Sequence, residues 1–196
     1  MRYPRRYNAA HPFDRFGPAN YVTTVRAVLV AGVAALIVLP QAPRVLWFAI
    51  GTATMVALLD GVDGWLARRT RMLSEFGARF DMETDAALIL VLSVLVWQHG
   101  KAGGWVLLCG LMRYGFVAAG WLLPWLRRPL RSTRRGKAVA VCQVVGLNVA
   151  LAPIVPMPQS AVVAAVTLAA LAWSFAVDIV WLARLKPGAT YPPYRT

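Results

Sequence analysis

Long apolar runs alternate with short polar connections along most of the 196-residue chain. Each run is close to the roughly 20 residues that an α-helix needs to cross a bilayer. The six runs lie at approximately 21–39, 44–63, 80–99, 103–124, 138–155 and 160–182. This pattern predicts an all-α fold, a bundle of six transmembrane helices. It also divides the chain into a polar arm at 1–20, a membrane domain at 21–185 and a polar tail at 186–196.

The composition agrees with a membrane protein. Hydrophobic residues make up 59% of the chain and charged residues only 15%, whereas soluble domains contain about 25% charged residues. The arm at 1–20 is polar and delays the first apolar run, so we expect no cleavable signal peptide. The first helix should therefore be retained as a membrane span. We expect the lipid bilayer to surround all six helices.

The basic residues are distributed unevenly between the two sides of the predicted bundle. Sixteen of the 21 lysines and arginines lie in the terminal segments or in the connections after the second and fourth helices, whereas the opposite connections hold only Arg44 and Lys101. Cytoplasmic loops carry such an excess of positive charge. We therefore expect both termini to be cytoplasmic and the protein to lie in the inner, cytoplasmic membrane. A nucleic-acid partner is not expected, because the basic residues lie in short loops beside the membrane.

Six of the eight acidic residues lie in one stretch, 58–85, around the connection between the second and third predicted helices. Four of them form two pairs with helical spacing, so that each pair shares one face of its helix. The pairs are Asp60 with Asp63 and Asp81 with Asp85. Counted from the outer helix ends, both pairs lie at the same depth, so we expect the two helices to be neighbours and the carboxylates to meet near the cytoplasmic edge of the hydrocarbon. Glu75 and Glu83 fall outside these faces.

Four carboxylates at such short range cannot all stay ionised beside hydrocarbon unless cations balance them. One interpretation is that they pair with nearby arginines in a cytoplasmic loop. The other is that they hold a divalent metal, because oxygen ligands on two facing helices suit Mg²⁺ or Mn²⁺. We favour the metal, since it explains the common depth, the paired spacing and the small residues beside the acids together. Two such ions side by side would hold a diphosphate.

The acidic stretch from Asp60 to Asp85 has the pattern D-x2-D-G-x2-A-R-x8-G-x3-D-x3-D. It resembles the signature of the CDP-alcohol phosphatidyltransferase family at all eight positions. A second segment is similar to the family's entry into its first helix, at Pro18, Asn20, Thr23 and Arg26. The resemblance implies a six-helix membrane enzyme, a homodimer, that transfers a phosphatidyl or related group from a CDP-linked lipid to an alcohol hydroxyl and releases CMP.

The resemblance also implies roles for individual residues. Asp60, Asp63 and Asp81 are similar to the ligands of a pair of divalent ions, Mg²⁺ or Mn²⁺, that hold the CDP diphosphate. Asp85 is similar to a residue that binds metal and acts as general base on the attacking hydroxyl. Asp60 is expected to contact the CDP moiety as well. The other positions expected to bind the CDP moiety are Gly64, Ala67, Arg68 and Gly77.

The acceptor alcohol is less well defined by the sequence. A basic connection before the fifth helix, and an arginine inside the fourth helix, form a candidate site for the phosphate of an anionic acceptor. The candidate residues are Arg113, Ser132, Arg134, Arg135 and Lys137. The alternatives are that the loop charges reflect topology alone and that Asp178, a charge inside the sixth helix, forms an ion pair with Arg113 or Arg184. We expect glycerol 3-phosphate or another phosphorylated alcohol, with choline, serine or phosphatidylglycerol as the alternative acceptors.

Two other functions are compatible with an acidic cluster in a membrane bundle. A membrane prenyltransferase also binds a diphosphate through aspartates and Mg²⁺, but it would normally carry a second Asp-rich motif. An ion-coupled transporter would have acids near the midplane of repeated halves. The sequence contains neither a second motif nor an internal repeat, so we favour the phosphatidyltransferase.

Overall fold

A computed structural model describes residues 18–40, 42–70, 75–123, 125 and 134–184. These residues form α-helices and short 3-10 helices, with no strand among them. The α-helices are α1 (Pro18–Ala35), α2 (Pro43–Thr70), α3 (Glu75–Gln98), α4 (Leu108–Leu122), α5 (Arg134–Leu151) and α6 (Gln159–Arg184). The 3-10 helices are Leu36–Val38 and Gly104–Leu107. The prediction of an all-α fold is confirmed for this part of the chain.

Within the described part of the chain, four helical segments are long and apolar enough to cross a membrane. They are Tyr21–Val38, Pro43–Val62, Gly104–Leu122 and Gln159–Arg184. They correspond to the first, second, fourth and sixth predicted spans. α3 and α5 fall short of the same standard, because the first half of α3 is rich in charged residues and α5 begins with a basic segment. A bundle that crosses the membrane six times therefore stays a prediction.

Two helices end at positions that differ from the predicted spans. α5 ends at Leu151, several residues early, because the segment 152–158 contains three prolines, which lack the N–H that a helix requires. α2 continues past its apolar part, which ends at Val62, as far as Thr70. Its last turns contain good helix formers such as Leu, Ala and Arg and no proline. The acidic residues of α2 therefore lie where its apolar part ends.

α3 is the central helix of the bundle and contacts α1, α4 and α5. Its buried side chains recur at helical spacing, at Leu88, Leu92, Leu95 and Val96, and join one continuous apolar core. Among the described residues α2 makes few contacts with α3, whereas α1 packs against both. The expected proximity of α2 and α3 is therefore confirmed at the end of α2, where Asp60 meets Asp81 and Asp85, and is limited elsewhere among the described residues. A short connection brings two helix ends together but does not force the rest of the helices into contact.

Two glycines permit close crossings between helices. A Cβ on Gly110 of α4 would collide with the backbone of Leu90 in α3, and a Cβ on Gly146 of α5 would collide with the side chain of Thr167 in α6. Small residues at such crossings let membrane helices approach closely where lipid supplies no hydrophobic driving force between them. These close contacts hold α4 against α3 and α6 against α5.

The outer surface of the bundle is apolar. Val28, Leu122 and Val166 expose 66%, 83% and 64% of their surface. In water this exposure would be unfavourable at about 25 cal/mol per Å² of apolar surface, whereas the acyl chains of a bilayer would cover it. The exterior thus agrees with a membrane protein whose polar groups face inward.

Polar contacts tie together one end of the bundle, where α3 ends and α6 begins. The ammonium group of Lys101 donates hydrogen bonds to the carbonyl oxygens of Ala152 at 2.9 Å and Val155 at 2.7 Å. The hydroxyl of Ser160 donates to the carbonyl of Lys101 at 2.6 Å. We call this region, Lys101 with residues 152–160, the Lys101 end.

Candidate active site

Three aspartates meet at the opposite end of the bundle. Asp60 lies near the end of α2, and Asp81 and Asp85 lie one turn apart on α3. One carboxylate oxygen from each lies within 4.8 Å of the other two. The three side chains are between 36% and 38% exposed, so a ligand in water can reach them. We call this region, Asp60, Asp81 and Asp85, the acidic end.

The other predicted residues of the signature are described to different extents. Gly77 lies in the first turn of α3 and is partly buried. Four others lie in the helical backbone of α2, but their side chains fall outside the described residues. These four are Asp63, Gly64, Ala67 and Arg68. A helical backbone puts Asp63 one turn beyond Asp60. Their roles remain predictions.

Arg26 of α1 occupies the centre of the acidic end. Its side chain is fully buried, and its Nη2 lies 3.0 Å from a carboxylate oxygen of Asp60. The same guanidinium donates hydrogen bonds through Nη1 to Asp81 and through Nη2 to Asp85. A buried charge is costly unless it is paired and hydrogen-bonded. The three carboxylates satisfy that requirement for Arg26, and Arg26 in turn offsets their mutual repulsion.

Reasoning from the sequence assigned no role to Arg26 beyond the similarity of its segment to the family's first helix. Yet it is the only charged residue in the apolar run 21–39. Ionisable residues inside a membrane helix usually face the bundle interior and have a partner there. That signal could have pointed to Arg26, although it could not have identified the three aspartates as the partners.

Glu83 and Arg113 form an ion pair between α3 and α4. The Nη2 of Arg113 lies 2.5 Å from Oε1 of Glu83. The suggested pair between Arg113 and Asp178 is therefore wrong: counting along the helices estimates depth but does not reveal which charge lies opposite. Glu83 lies off the shared face of Asp81 and Asp85, as the helical spacing indicates.

Asp178 of α6 pairs instead with Arg135 in the first turn of α5. The guanidinium of Arg135 also lies 5.7 Å from the centre of the Trp173 ring, within the range of a cation–π contact. Lys137 lies two residues further along α5 and is exposed. Among the other acceptor candidates, Ser132 and the side chain of Arg134 lie outside the described residues.

The family model described as CDP-alcohol phosphatidyltransferase matches residues 17–180, which is most of the chain. The chain belongs to the CDP-alcohol phosphatidyltransferase family. Membership of this family favours a phosphatidyl transfer over the alternatives of a prenyltransferase and a transporter. The family acts on CDP-linked lipid and alcohol substrates in a membrane and uses divalent metals.

A curated relative of this chain comes from Cereibacter sphaeroides and is named CDP-diacylglycerol--glycerol-3-phosphate 3-phosphatidyltransferase. The two sequences are 30% identical over 89 residues, which cover 45% of this chain and 40% of the relative. The match thus spans about two fifths of the length of that relative.

The chemistry of the acidic end fits a divalent metal. Its donors are all carboxylate oxygens, they come from three residues on two helices, and they converge within 4.8 Å. Mg²⁺ and Mn²⁺ prefer such hard oxygen ligands. Asp60, Asp81 and Asp85 are therefore the described residues that could hold the metal that the family uses.

Proposed function

We propose that this phosphatidyltransferase transfers the phosphatidyl group of CDP-diacylglycerol to the hydroxyl of a phosphorylated alcohol, glycerol 3-phosphate or a similar compound, and releases CMP. The observation that carries the proposal is the convergence of Asp60, Asp81 and Asp85 in a member of this family. The name of the Cereibacter relative supports both substrates, within the segment that the two proteins share.

We assign Asp60, Asp63, Asp81 and Asp85 to the binding of two divalent ions, Mg²⁺ or Mn²⁺. The close approach of three of these carboxylates supports the assignment. When bound, the ions would neutralise the diphosphate and the negative charge that develops on the CMP leaving group.

Asp85 is assigned a second role as the general base. A base must lie within hydrogen-bond reach of the proton that it accepts, and the partly exposed carboxylate of Asp85 is open to an acceptor hydroxyl. As that proton moves to Asp85, the acceptor oxygen bonds to the phosphatidyl phosphorus. The bond from this phosphorus to the oxygen of CMP then breaks, and CMP leaves with the bonding electrons.

The last turns of α2 and the first turn of α3 are assigned to the nucleotide. Asp60 would contact the CDP moiety together with four signature residues. These are Gly64, Ala67, Arg68 and Gly77. Glycine and alanine leave space beside the carboxylates, and an arginine supplies a cation that can bind a phosphate. The proximity of both helix ends to the three aspartates supports this assignment.

The phosphate of the acceptor is assigned to the basic residues of α4, α5 and the segment before α5. Arg135 is the strongest candidate, because Asp178 and Trp173 already hold its guanidinium in a defined position and preorganisation lowers the cost of binding. Arg113 is held in the same way by Glu83. The remaining candidates are Ser132, Arg134 and Lys137.

The proposal includes six membrane crossings, cytoplasmic termini and an active site on the cytoplasmic side of the inner membrane. The excess of positive charge in the connections after the second and fourth helices and in the terminal segments supports this orientation. The proposed homodimer rests on the family resemblance.

The test is release of CMP from CDP-diacylglycerol by the purified protein in detergent or nanodiscs. We expect release that requires Mg²⁺ or Mn²⁺ and is stimulated most by glycerol 3-phosphate among a panel of alcohols. The panel includes inositol phosphate, serine, choline and phosphatidylglycerol. Preference for an unphosphorylated alcohol would overturn the choice of acceptor, and no release with any alcohol would overturn the proposed reaction.

A further inference from the structure

Arg26 shares its ligands with any metal that binds at the acidic end. Its guanidinium contacts the same three carboxylates whose oxygens converge, those of Asp60, Asp81 and Asp85. A divalent ion such as Mg²⁺ needs its oxygen ligands at about 2.0–2.1 Å, so it would have to lie among the same three side chains that surround the guanidinium. The guanidinium and the metal thus compete for the same three carboxylates.

The charges agree with an exchange of cations. Three negative charges against the one positive charge of Arg26 leave these four side chains with a formal charge of −2. Without Arg26 the three carboxylates would repel one another across less than 4.8 Å. With both Arg26 and a divalent ion inside the same small volume, the two cations would repel each other in turn.

We propose that Arg26 is an internal counter-cation that keeps the three carboxylates assembled in the metal-free protein and gives up at least one of them when a divalent ion binds. Arg26 thereby weakens the affinity for metal and stabilises the metal-free bundle. It is a positioning residue for the metal ligands, and this inference rests on the proposed metal-binding role of the acidic end.

The test measures metal binding and stability, without turnover. Arg26→Gln removes the charge and retains a hydrogen-bonding side chain. We expect it to bind Mn²⁺ at least about tenfold more tightly than the wild type, measured from free Mn²⁺ by electron paramagnetic resonance, because one repulsion between close charges is removed. We also expect its melting temperature to fall in a chelator and to recover with Mn²⁺ by more than that of the wild type.

If Arg26 only shaped the arrangement of the metal ligands, Arg26→Gln would change the Mn²⁺ affinity in the opposite direction. If Arg26 only holds the aspartates in a metal-ready arrangement, Arg26→Gln weakens Mn²⁺ binding, and a weaker or unchanged affinity would overturn the proposal. Should Arg26→Gln fail to fold, Arg26→Lys provides a second measurement. A lysine keeps the charge but cannot span three carboxylates with a planar fork, so we expect a smaller tightening of Mn²⁺ binding, and none would again overturn the proposal.

Lys101→Met is the matched control. Lys101 is also a partly buried cation, but it donates to carbonyl oxygens at the other end of the bundle. Its loss should lower the melting temperature without changing Mn²⁺ affinity. The Mn²⁺ measurement does not depend on the proposed reaction. If Arg26→Gln binds Mn²⁺ more tightly but the protein releases no CMP, the inference about Arg26 is retained and only the transferase assignment is rejected.

Discussion

The two ends of the bundle stabilise a buried cation in different ways. Each contains a cation withdrawn from water, Arg26 at the acidic end and Lys101 at the Lys101 end. Lys101 is satisfied by neutral carbonyl oxygens of the backbone, whereas Arg26 is satisfied by three carboxylates. The carbonyl oxygens carry no net charge, whereas three carboxylates carry more negative charge than Arg26 balances and can therefore attract another cation. The first arrangement is a structural tie and the second is a site that can exchange its cation.

The largest expected effect separates chemistry from binding at the acidic end. Asp85→Asn retains the size of the side chain but removes the negative charge that would accept the proton of the acceptor. We expect CMP release to fall by about a thousandfold or more, since general bases contribute about 10²–10⁴ to rate and Asp85 is also a proposed metal ligand. Binding of CDP-diacylglycerol should be retained, as measured by equilibrium dialysis.

The control for that variant is Glu75→Gln, the same chemical change at an acid of the same stretch without an assigned role. It should leave CMP release close to that of the wild type. Wild-type rates in purified Asp85→Asn would contradict the assignment of the base and would remove the main functional difference between the two ends.

A smaller effect is expected at the Lys101 end. Lys101→Met leaves the carbonyls of Ala152 and Val155 without their donor. We expect it to lower the free energy of unfolding by about 1.5–3 kcal/mol, the range for a hydrogen bond to a charged group. Thermal unfolding in mild detergent measures the loss. CMP release per folded molecule should stay the same, and a selective loss of activity would mean that the Lys101 end is more than a structural tie.

The smallest effect is expected at Arg135, the strongest candidate for binding the acceptor phosphate. Arg135→Gln should raise the KM for a phosphorylated acceptor by about tenfold, as expected when one hydrogen bond to a charged group is lost, with little change in kcat. The KM for CDP-diacylglycerol should stay constant. The comparison variant is Trp173→Leu, which removes the ring beside Arg135 but keeps its charge, and should have a weaker effect. Equal KM values for Arg135→Gln and the wild type would remove Arg135 from the acceptor site.

The grouping of the aspartates was accessible from sequence because it depends on local spacing. Asp81 and Asp85 share a helix face by their separation alone, and the signature that runs from Asp60 to Asp85 identified the family before any packing was known. The apolar runs likewise predicted the helical class, since hydrophobic length is a property of the segment itself. Four of the six predicted spans have helices that meet the requirements for crossing a membrane.

The partners of the buried charges were not accessible in this way. Arg26 lies 55 and 59 residues from Asp81 and Asp85 in the chain, and only the packing of α1 against both α2 and α3 brings them together. The same limit explains the wrong partner for Arg113, since depth along a helix is independent of which neighbour faces it. Sequence spacing thus identifies which residues can act as a group, and tertiary packing decides which charge balances them.

The unbroken path of α2 has a consequence for how products would leave. Its 28 residues span about 42 Å at ~1.5 Å per residue, whereas the hydrocarbon of a bilayer is about 30 Å thick. A single continuous helix of this length extends beyond the hydrocarbon core into water. Asp60 lies close to Val62, where the apolar part of the helix ends. Under the proposed reaction, a new lipid can drift away sideways within its leaflet while the spent nucleotide diffuses into bulk solvent. The lipid product does not have to enter water, and CMP does not have to enter the hydrocarbon.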